Sequence, residues 1–274
     1  MNDYIEKIIT DVSEKLNIKL SNKNIHFYTD GASNSIVFSI LNKYLIKTLD
    51  TTTFNAQTEF LEYYKNIPSF QKILFKNKKL NYICFEFIEG ALFKNCTNLD
   101  INDIINQIYN IVNQYKAYAY DKFGYLFEDN KSWYDFLKDE ILNSNNYILN
   151  LNIDTKKVFK ALEKLKKFNV NKNLIHGDFG AHNFLIDSSK KLKIIDPMPV
   201  VGDYLYDFYF AIFSNVNLFK DEKINYIVNF FENEIIEKKK ALMLIVVFIR
   251  MGRCYKYDIE HFNTYLNLYN SYII

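Results

Sequence analysis

Asp178, Asn183 and Asp196 carry hard oxygen donors at short, set intervals along this 274-residue chain. They lie in the stretch Leu174-Ile175-His176-Gly177-Asp178-Phe179-Gly180-Ala181-His182-Asn183-Phe184-Leu185-Ile186-Asp187, which is closed by Lys193-Ile194-Ile195-Asp196-Pro197. These residue types suit phosphoryl transfer. That chemistry asks little covalent help of a protein: it needs metal ions that bridge the phosphates and a carboxylate that orients the attacking hydroxyl. Asn183 and Asp196 offer the donors that Mg²⁺ prefers, since it keeps several waters and takes few protein ligands. Asp178, five residues before Asn183, is placed to receive the hydroxyl proton.

For the three to act together, local structure must bring them to one point. Leu174-Ile175 is too apolar and too short for a helix of its own. Phe184 to Asp187 and Leu192 to Ile195 read as strands, and Ser188-Ser189-Lys190-Lys191 reads as the polar turn between them. Such a hairpin returns Asp196 beside the loop that holds Asp178 and Asn183. A lone His-x-Asp would read only as a cap or a turn; the second Asp and the Asn at these spacings carry the argument.

The protein-kinase catalytic loop has the same Asp-to-Asn interval, with Arg where this chain has Gly177. More closely, His176-Gly177-Asp178, four residues, Asn183, and then Ile195-Asp196-Pro197 resemble the signature of aminoglycoside phosphotransferases and choline kinases. Gly202-Asp203-Tyr204-Leu205-Tyr206-Asp207 resembles the Gly-Asp…Asp element that follows in that family. One departure is visible: family members usually carry His-Pro-Gly just before the Asn, where this chain has Gly180-Ala181-His182. The resemblance implies an α+β, bilobal, protein-kinase-like fold. A small antiparallel β-sheet lobe over residues 1–90 would bind nucleotide and end in a hinge. A mainly helical lobe over residues 91–274 would hold the catalytic loop and the acceptor site. It also implies ATP and Mg²⁺ as cofactors, with transfer of the γ-phosphoryl group to a hydroxyl of a small molecule.

Bulk composition agrees with a folded enzyme and excludes several classes. A hydrophobic fraction of 49% with 17% aromatics is enough for a substantial core. With 34 basic and 32 acidic residues the net charge is +2, which leaves no electrostatic footprint for nucleic acid. No apolar run reaches the roughly 18 residues that a membrane span needs. Met1-Asn2-Asp3-Tyr4 lacks the basic and apolar regions of a signal peptide. Cys84, Cys96 and Cys254 are scattered, which suggests neither disulfides nor a zinc site. The expectation is a cytoplasmic protein.

In the N-terminal part, Tyr4 to Leu16 has apolar residues at helical spacing. Ile25 to Tyr28, Ile36 to Ile40 and Tyr44 to Thr48 read as strands, with a tight turn at Asn42-Lys43. The turn with Gly31, Ser33 and Asn34 offers backbone N–H groups and hydroxyls for phosphates. By itself it reads as an ordinary hairpin loop; the resemblance implies a nucleotide loop of the choline-kinase type. Lys47 sits on the third strand, and a lone Lys there is ordinarily a solvated edge residue. The resemblance instead pairs it with a carboxylate on the helix over Thr52 to Tyr64 and sets it on the nucleotide phosphates. Glu59, in Gln57-Thr58-Glu59-Phe60-Leu61, is the preferred partner and Glu62 the fallback. Tyr82 to Phe87 reads as a strand, and Phe85-Glu86-Phe87-Ile88-Glu89-Gly90 resembles the interlobe hinge, where backbone groups of Glu86 and Ile88 would read adenine.

In the C-terminal part, periodicity predicts helices over 101–118, 133–149, 155–168, 203–213, 222–231, 239–257 and 259–269. Trp133 reads as core. Asp203 and Asp207 lie i,i+4 near a helix start. Both read as caps worth about 0.5–2 kcal/mol, with Asp203 also a candidate to brace the catalytic loop. Arg250 and Arg253 are the two arginines of the chain and share a helix face. Either they form internal pairs, with Asp203, Asp207 or Asp258, or their planar forks receive an anionic group of the acceptor. His182, at the loop tip, is either a further candidate acceptor contact or simply exposed. An aminoglycoside polycation would favour an acidic lobe, yet the chain from Thr97 onward has 22 acidic and 22 basic residues. A sugar, amino-alcohol or similar metabolite is therefore the preferred acceptor, with an aminoglycoside as the alternative. A catalytically silent nucleotide-binding protein on the same fold is disfavoured by the intact Asp178, Asn183 and Asp196 set. A protein kinase is disfavoured by Pro197-Met198-Pro199, where such enzymes carry Phe-Gly.

Overall fold

The structure is a computed structural model and describes residues 3–28, 35–127, 132–219 and 223–271. In chain order the elements are α1 (Asp3–Leu16), β1 (Ile25–Tyr28), β2 (Val37–Ile40), β3 (Tyr44–Thr48), α2 (Thr51–Tyr63), β4 (Ile73–Asn77), β5 (Tyr82–Glu86) and β6 (Gly90–Leu92). There follow α3 (Ile101–Val112), β7 (Gly124–Tyr125), α4 (Trp133–Ile148), α5 (Lys156–Leu165), β8 (Asn173–Ile175), β9 (Phe184–Asp187) and β10 (Leu192–Ile194). The chain ends with β11 (Val200–Gly202), α6 (Tyr204–Ile212), α7 (Ile224–Asn229), α8 (Ile236–Tyr257) and α9 (Phe262–Ser271). These elements form two compact units, one of Met1–Ala91 with Leu185–Ile195, the other of Leu92–Phe184 with Asp196–Ile274.

The first unit is built on an antiparallel sheet in the order β1-β2-β3-β5-β4. Alternation along β2, β3 and β5 turns Phe38, Ile40, Ile46, Tyr82 and Cys84 to one face, where Ile8 and Val12 of α1 cover them. Asp50 starts α2 by accepting from the Thr53 amide at 2.9 Å. The β9–β10 hairpin groups with this unit. Its turn is fixed by Asp187, whose Oδ1 accepts from the amides of Ser189 and Lys191, both at 2.9 Å. β6 lies along the other edge of β9.

The second unit packs helices around α8, which lies against α4, α5, α6 and α9. Ser132 and Asp135 form a reciprocal capping box at the start of α4. Trp133 is core, only 4% exposed and stacked on Phe136. A small sheet in the order β7-β11-β8 sets the chain on either side of the stretch from His176 to Pro199. Val200 pairs with Ile175, and Gly202 with Asn173.

Several helix ends differ from the periodicity. The helix expected over 101–118 stops at Val112, because residues beyond it join the β8 region: Ala117 bridges Asn173, and the Tyr118 amide donates to Lys172. The segment expected over 222–231 is helical over Ile224–Asn229; Phe231 adopts φ +54°, which no helix continues. The C-terminal segment splits into a 3₁₀ turn at Ile259–His261 followed by α9. Periodicity sees apolar faces; the end of α3 is decided by pairing with distant chain and the end of α7 by a local backbone turn.

At the α4–α8 crossing, a Cβ on Gly252 would lie 2.4 Å from the Ser144 carbonyl oxygen. Gly252→Ala should therefore push two helix backbones apart. The expected loss is about 1–3 kcal/mol of unfolding free energy in a urea titration; an unchanged midpoint would show that the crossing is looser than this.

Candidate active site

The stretch that carries Asp178 and Asn183 leaves β8 and is anchored by an aromatic plug. Phe179 is fully buried between His176, Phe184 and Tyr115. The loop closes on itself through the Gly180 amide to the Asp178 carbonyl and the Asn183 amide to the Gly180 carbonyl, both 2.8 Å. Residues Ala181–Asn183 then make a 3₁₀ turn, the form that Gly180-Ala181-His182 gives the loop tip.

Beneath the loop lies Asp207, completely buried on α6. It accepts from the His176 amide at 2.6 Å, the Gly177 amide at 3.0 Å and the Tyr115 hydroxyl at 2.8 Å. Burial raises its carboxyl to about 7, with the three donors pulling the other way. Asp203 accepts from the Leu205 amide at 3.1 Å as the N-cap of α6, and forms a buried ion pair with Lys238 at 2.8 Å. Asp203 thus caps the helix as expected, while the brace of the loop is Asp207 and not Asp203. The i,i+4 spacing put both on one face but left open which of them meets the loop.

Asp178 projects from this support. Its Oδ2 accepts from Nδ2 of Asn183 at 3.1 Å and meets Nε2 of His182 at 2.9 Å. Burial works against its charge, but the hydrogen bond and charge of His182, with the charges of Arg253 and His176, hold the carboxyl well below the usual carboxylate range. Asn183 also donates Nδ2 to the Asp178 carbonyl at 2.9 Å. Its amide nitrogen is thereby committed, and the carbonyl oxygen is what it offers to a cation.

Asp196 is carried back toward this loop by the backbone. Two residues beyond it, the Met198 amide donates to the His176 carbonyl at 2.9 Å, and β11 then zips against β8. Asp196 itself has φ +60°, a left-handed conformation that Asp and Asn tolerate better than other side chains. Gly177 has φ +78°, and a Cβ there would lie 2.0 Å from the Met198 carbonyl oxygen; no side chain fits where the protein-kinase loop carries Arg. Among the described residues no group of three or more His, Cys, Asp or Glu is gathered as a metal cluster.

Arg253 reaches the same place from α8. Its Nη2 donates to Oε2 of Glu140 at 2.6 Å, and its Nη1 lies 3.8 Å from Oδ1 of Asp178. Asp203, Asp207 and Asp258, the partners expected for the arginines, are engaged elsewhere: Asp258 with His261, Asp203 and Asp207 as above. Glu140 was hidden inside α4, but it falls in register with Trp133, Phe136, Leu137, Ile141 and Ser144 on that helix's buried face. An acid at a buried helical position is the signal that could have found it. Arg250 lies one turn before Arg253, and both guanidinium carbons sit 5.0 Å from the centre of the Phe210 ring.

The residues expected to handle nucleotide belong to the other unit. Lys47 is 8% exposed on the central strand β3, not a solvated edge. Glu62 pairs with Lys76 at 2.5 Å, and Glu59 is half-buried on α2. The Glu86 amide donates to the Lys72 carbonyl at 3.1 Å, so only its carbonyl remains for a ligand. Ile88 forms no backbone hydrogen bond among the described residues. Gly31, Ser33 and Asn34 lie outside the described residues.

No protein-family model matches the chain, and no curated protein sequence matches it either. Solved structures do match. The choline kinase LicA of Streptococcus pneumoniae superposes with a TM-score of 0.64 at 18% identity, covering 98% of this chain and all of that one. Aminoglycoside phosphotransferase APH(4)-Ia gives 0.61 at 14% identity, with 97% of each chain covered. The ADP-bound aminoglycoside phosphotransferase APH(2'')-Ib gives 0.55 at 13% identity, covering 97% of this chain and 96% of that one. The chain therefore has the α+β kinase-like fold that these small-molecule kinases share. No helix among the described residues is long and apolar enough to cross a membrane.

Two substitutions check the site's construction. Asp207→Ala strands three buried donors and should cost about 3 kcal/mol or more in chemical denaturation; a loss below about 1 kcal/mol would show that the loop is held otherwise. Asp196→Asn keeps a residue suited to φ +60°, whereas Asp196→Ala adds about 1 kcal/mol of backbone strain. Thermal denaturation should rank wild type and Asn together above Ala.

Proposed function

We propose that the chain is an ATP- and Mg²⁺-dependent phosphotransferase that moves the γ-phosphoryl group to a hydroxyl of a small molecule. The observation that carries this reading is the construction around Asp178. One carboxylate oxygen is held by Asn183 and His182, and the loop beneath it is clamped by Asp207. A half-buried, hydrogen-bonded carboxylate on a braced loop is a positioning device, and positioning with electrostatic stabilisation is most of what phosphoryl transfer asks of a protein.

In this mechanism Asp178 accepts the hydrogen bond of the acceptor hydroxyl and aims its oxygen at the γ-phosphorus. As the new P–O bond forms and the bond to ADP breaks, the hydroxyl proton passes to Asp178 and on to water. A carboxyl held so low is a weak base before bond formation, so orientation is its main contribution and proton transfer is late. Asn183, through its carbonyl oxygen, and Asp196 are the residues that would hold Mg²⁺, whose charge offsets that on the phosphates. Lys47 is buried on β3 and needs a counter-charge; Glu59 is the carboxylate proposed to hold it on the α- and β-phosphates. The carbonyl of Glu86 and the backbone of Ile88 are the proposed adenine contacts, and the Gly31, Ser33, Asn34 turn the proposed phosphate cover.

For the acceptor, the neutral charge of the helical part supports a sugar, amino-alcohol or similar metabolite over an aminoglycoside polycation. A silent nucleotide-binding protein has no use for the bracing of Asp178. The deciding experiment is consumption of ATP, and of GTP in parallel, with Mg²⁺ against a panel of alcohols, sugars, hydroxy acids and aminoglycosides. Asp178→Asn should lower kcat on the order of 10²- to 10⁴-fold with nucleotide affinity retained. Nucleotide bound tightly, with no acceptor turned over by the wild type, would favour the silent protein.

A further inference from the structure

The two oxygens of Asp178 are used unequally. Oδ2 takes both side-chain partners on the loop, His182 and Asn183. Oδ1 faces Nη1 of Arg253 at 3.8 Å, too far for a hydrogen bond but close for a charge. Oδ1 is therefore the oxygen with capacity for an acceptor hydroxyl. Arg253 is itself held on two sides, by Glu140 and by Phe210. Nη2 donates to Glu140 Oε2 at 2.6 Å, the other Glu140 oxygen accepts from the Tyr125 hydroxyl at 3.2 Å, and Phe210 supports the guanidinium with its ring. Glu140 is only 6% exposed, and an acid so buried must be paired.

We propose that Glu140 and Arg253 are a positioning pair for Asp178: Glu140 fixes the plane of the guanidinium, and the guanidinium holds Oδ1 toward the acceptor hydroxyl. The role rests on the phosphotransferase reading, but the contact does not. A planar fork suits it, because one nitrogen addresses Glu140 while the other addresses Asp178; a lysine ammonium keeps the charge and loses the two-way geometry. The pair also explains an Arg at this place in a chain whose other 32 Lys/Arg residues, apart from Arg250, are all lysine.

The test has two readouts. Arginine-selective ¹⁵N labelling gives only two guanidinium signals, from Arg250 and Arg253. The Arg253 signal should show hindered rotation in the wild type, lose it in Glu140→Gln, and shift in Asp178→Asn. The second readout is ADP release from Mg-ATP with water as the acceptor. Arg253→Gln and Glu140→Gln should each lower kcat about 10- to 100-fold, with the KM for ATP changed by less than about twofold. Arg253→Lys should recover part of the loss. The Arg253→Gln, Glu140→Gln double variant should be no slower than either single one, as expected of residues acting as one unit. It also removes both charges together, so it keeps the test open if a stranded Glu140 unfolds the single variant. Wild-type kcat in Arg253→Gln or in the double variant, or losses that multiply, would overturn the positioning role alone. A wild type that binds ATP and releases no ADP would overturn the phosphotransferase reading and the role with it.

Discussion

Two backbone amides and one hydroxyl converge on the carboxylate of Asp207, and the shape of the loop that carries Asp178 follows from that convergence. The amides of His176 and Gly177 point down into the core instead of outward, and the chain turns at Gly177 with φ +78°. That turn lifts Asp178 out on the opposite side. Tyr115, which follows α3, adds the third donor, tying the loop to a helix more than sixty residues earlier. A buried carboxylate without such donors would be costly; with them it is a rigid footing. The Met198 amide completes the arrangement by fixing the segment after Asp196 to the His176 carbonyl.

The polar side chains above this footing are arranged in a chain of contacts: Tyr125 to Glu140, Glu140 to Arg253, Arg253 toward Asp178, and Asp178 to His182 and Asn183. Alternating charge along the chain limits the cost of burying each member. It also explains how the half-buried carboxylate of Asp178 stays ionised. The helices that deliver these groups are long and pack through mainly apolar buried faces. α4 and α8 cross closely because Gly252 lets the α8 backbone approach the Ser144 carbonyl. Glu140 and Arg253 are thus set by the packing of two helix faces and not by loops, which favours precise placement.

The other unit shows the same use of burial. Lys47 lies on the central strand, with Val37 and Ile83 beside it in register, and its ammonium is drawn in where an edge lysine would be solvated. The fold shared with small-molecule kinases at 13–18% identity is compatible with many acceptors, since fold and chemistry are separable. What narrows the reading is the state of individual side chains.

Most of this architecture was legible in the sequence because it depends on local pattern. Apolar alternation marked β1 to β3 and β5, helical periodicity marked α1, α2, α4 and α8, and the Asp-Ser-Ser-Lys-Lys turn marked the β9–β10 hairpin. Residue type and interval singled out Asp178, Asn183 and Asp196 in the sequence, and the structure joins Asp178 to Asn183. Tertiary structure alone decided the rest. It chose Asp207 over Asp203 as the loop brace, ended α3 at Val112 so that the chain could pair near β8, and matched Arg253 with Glu140. Each of these joins residues far apart in the chain, 31 positions for Asp207 and His176 and 113 for Arg253 and Glu140. Periodicity reports which face of an element is buried; it carries no information on which buried polar group will meet which other, because that is fixed only when whole faces pack.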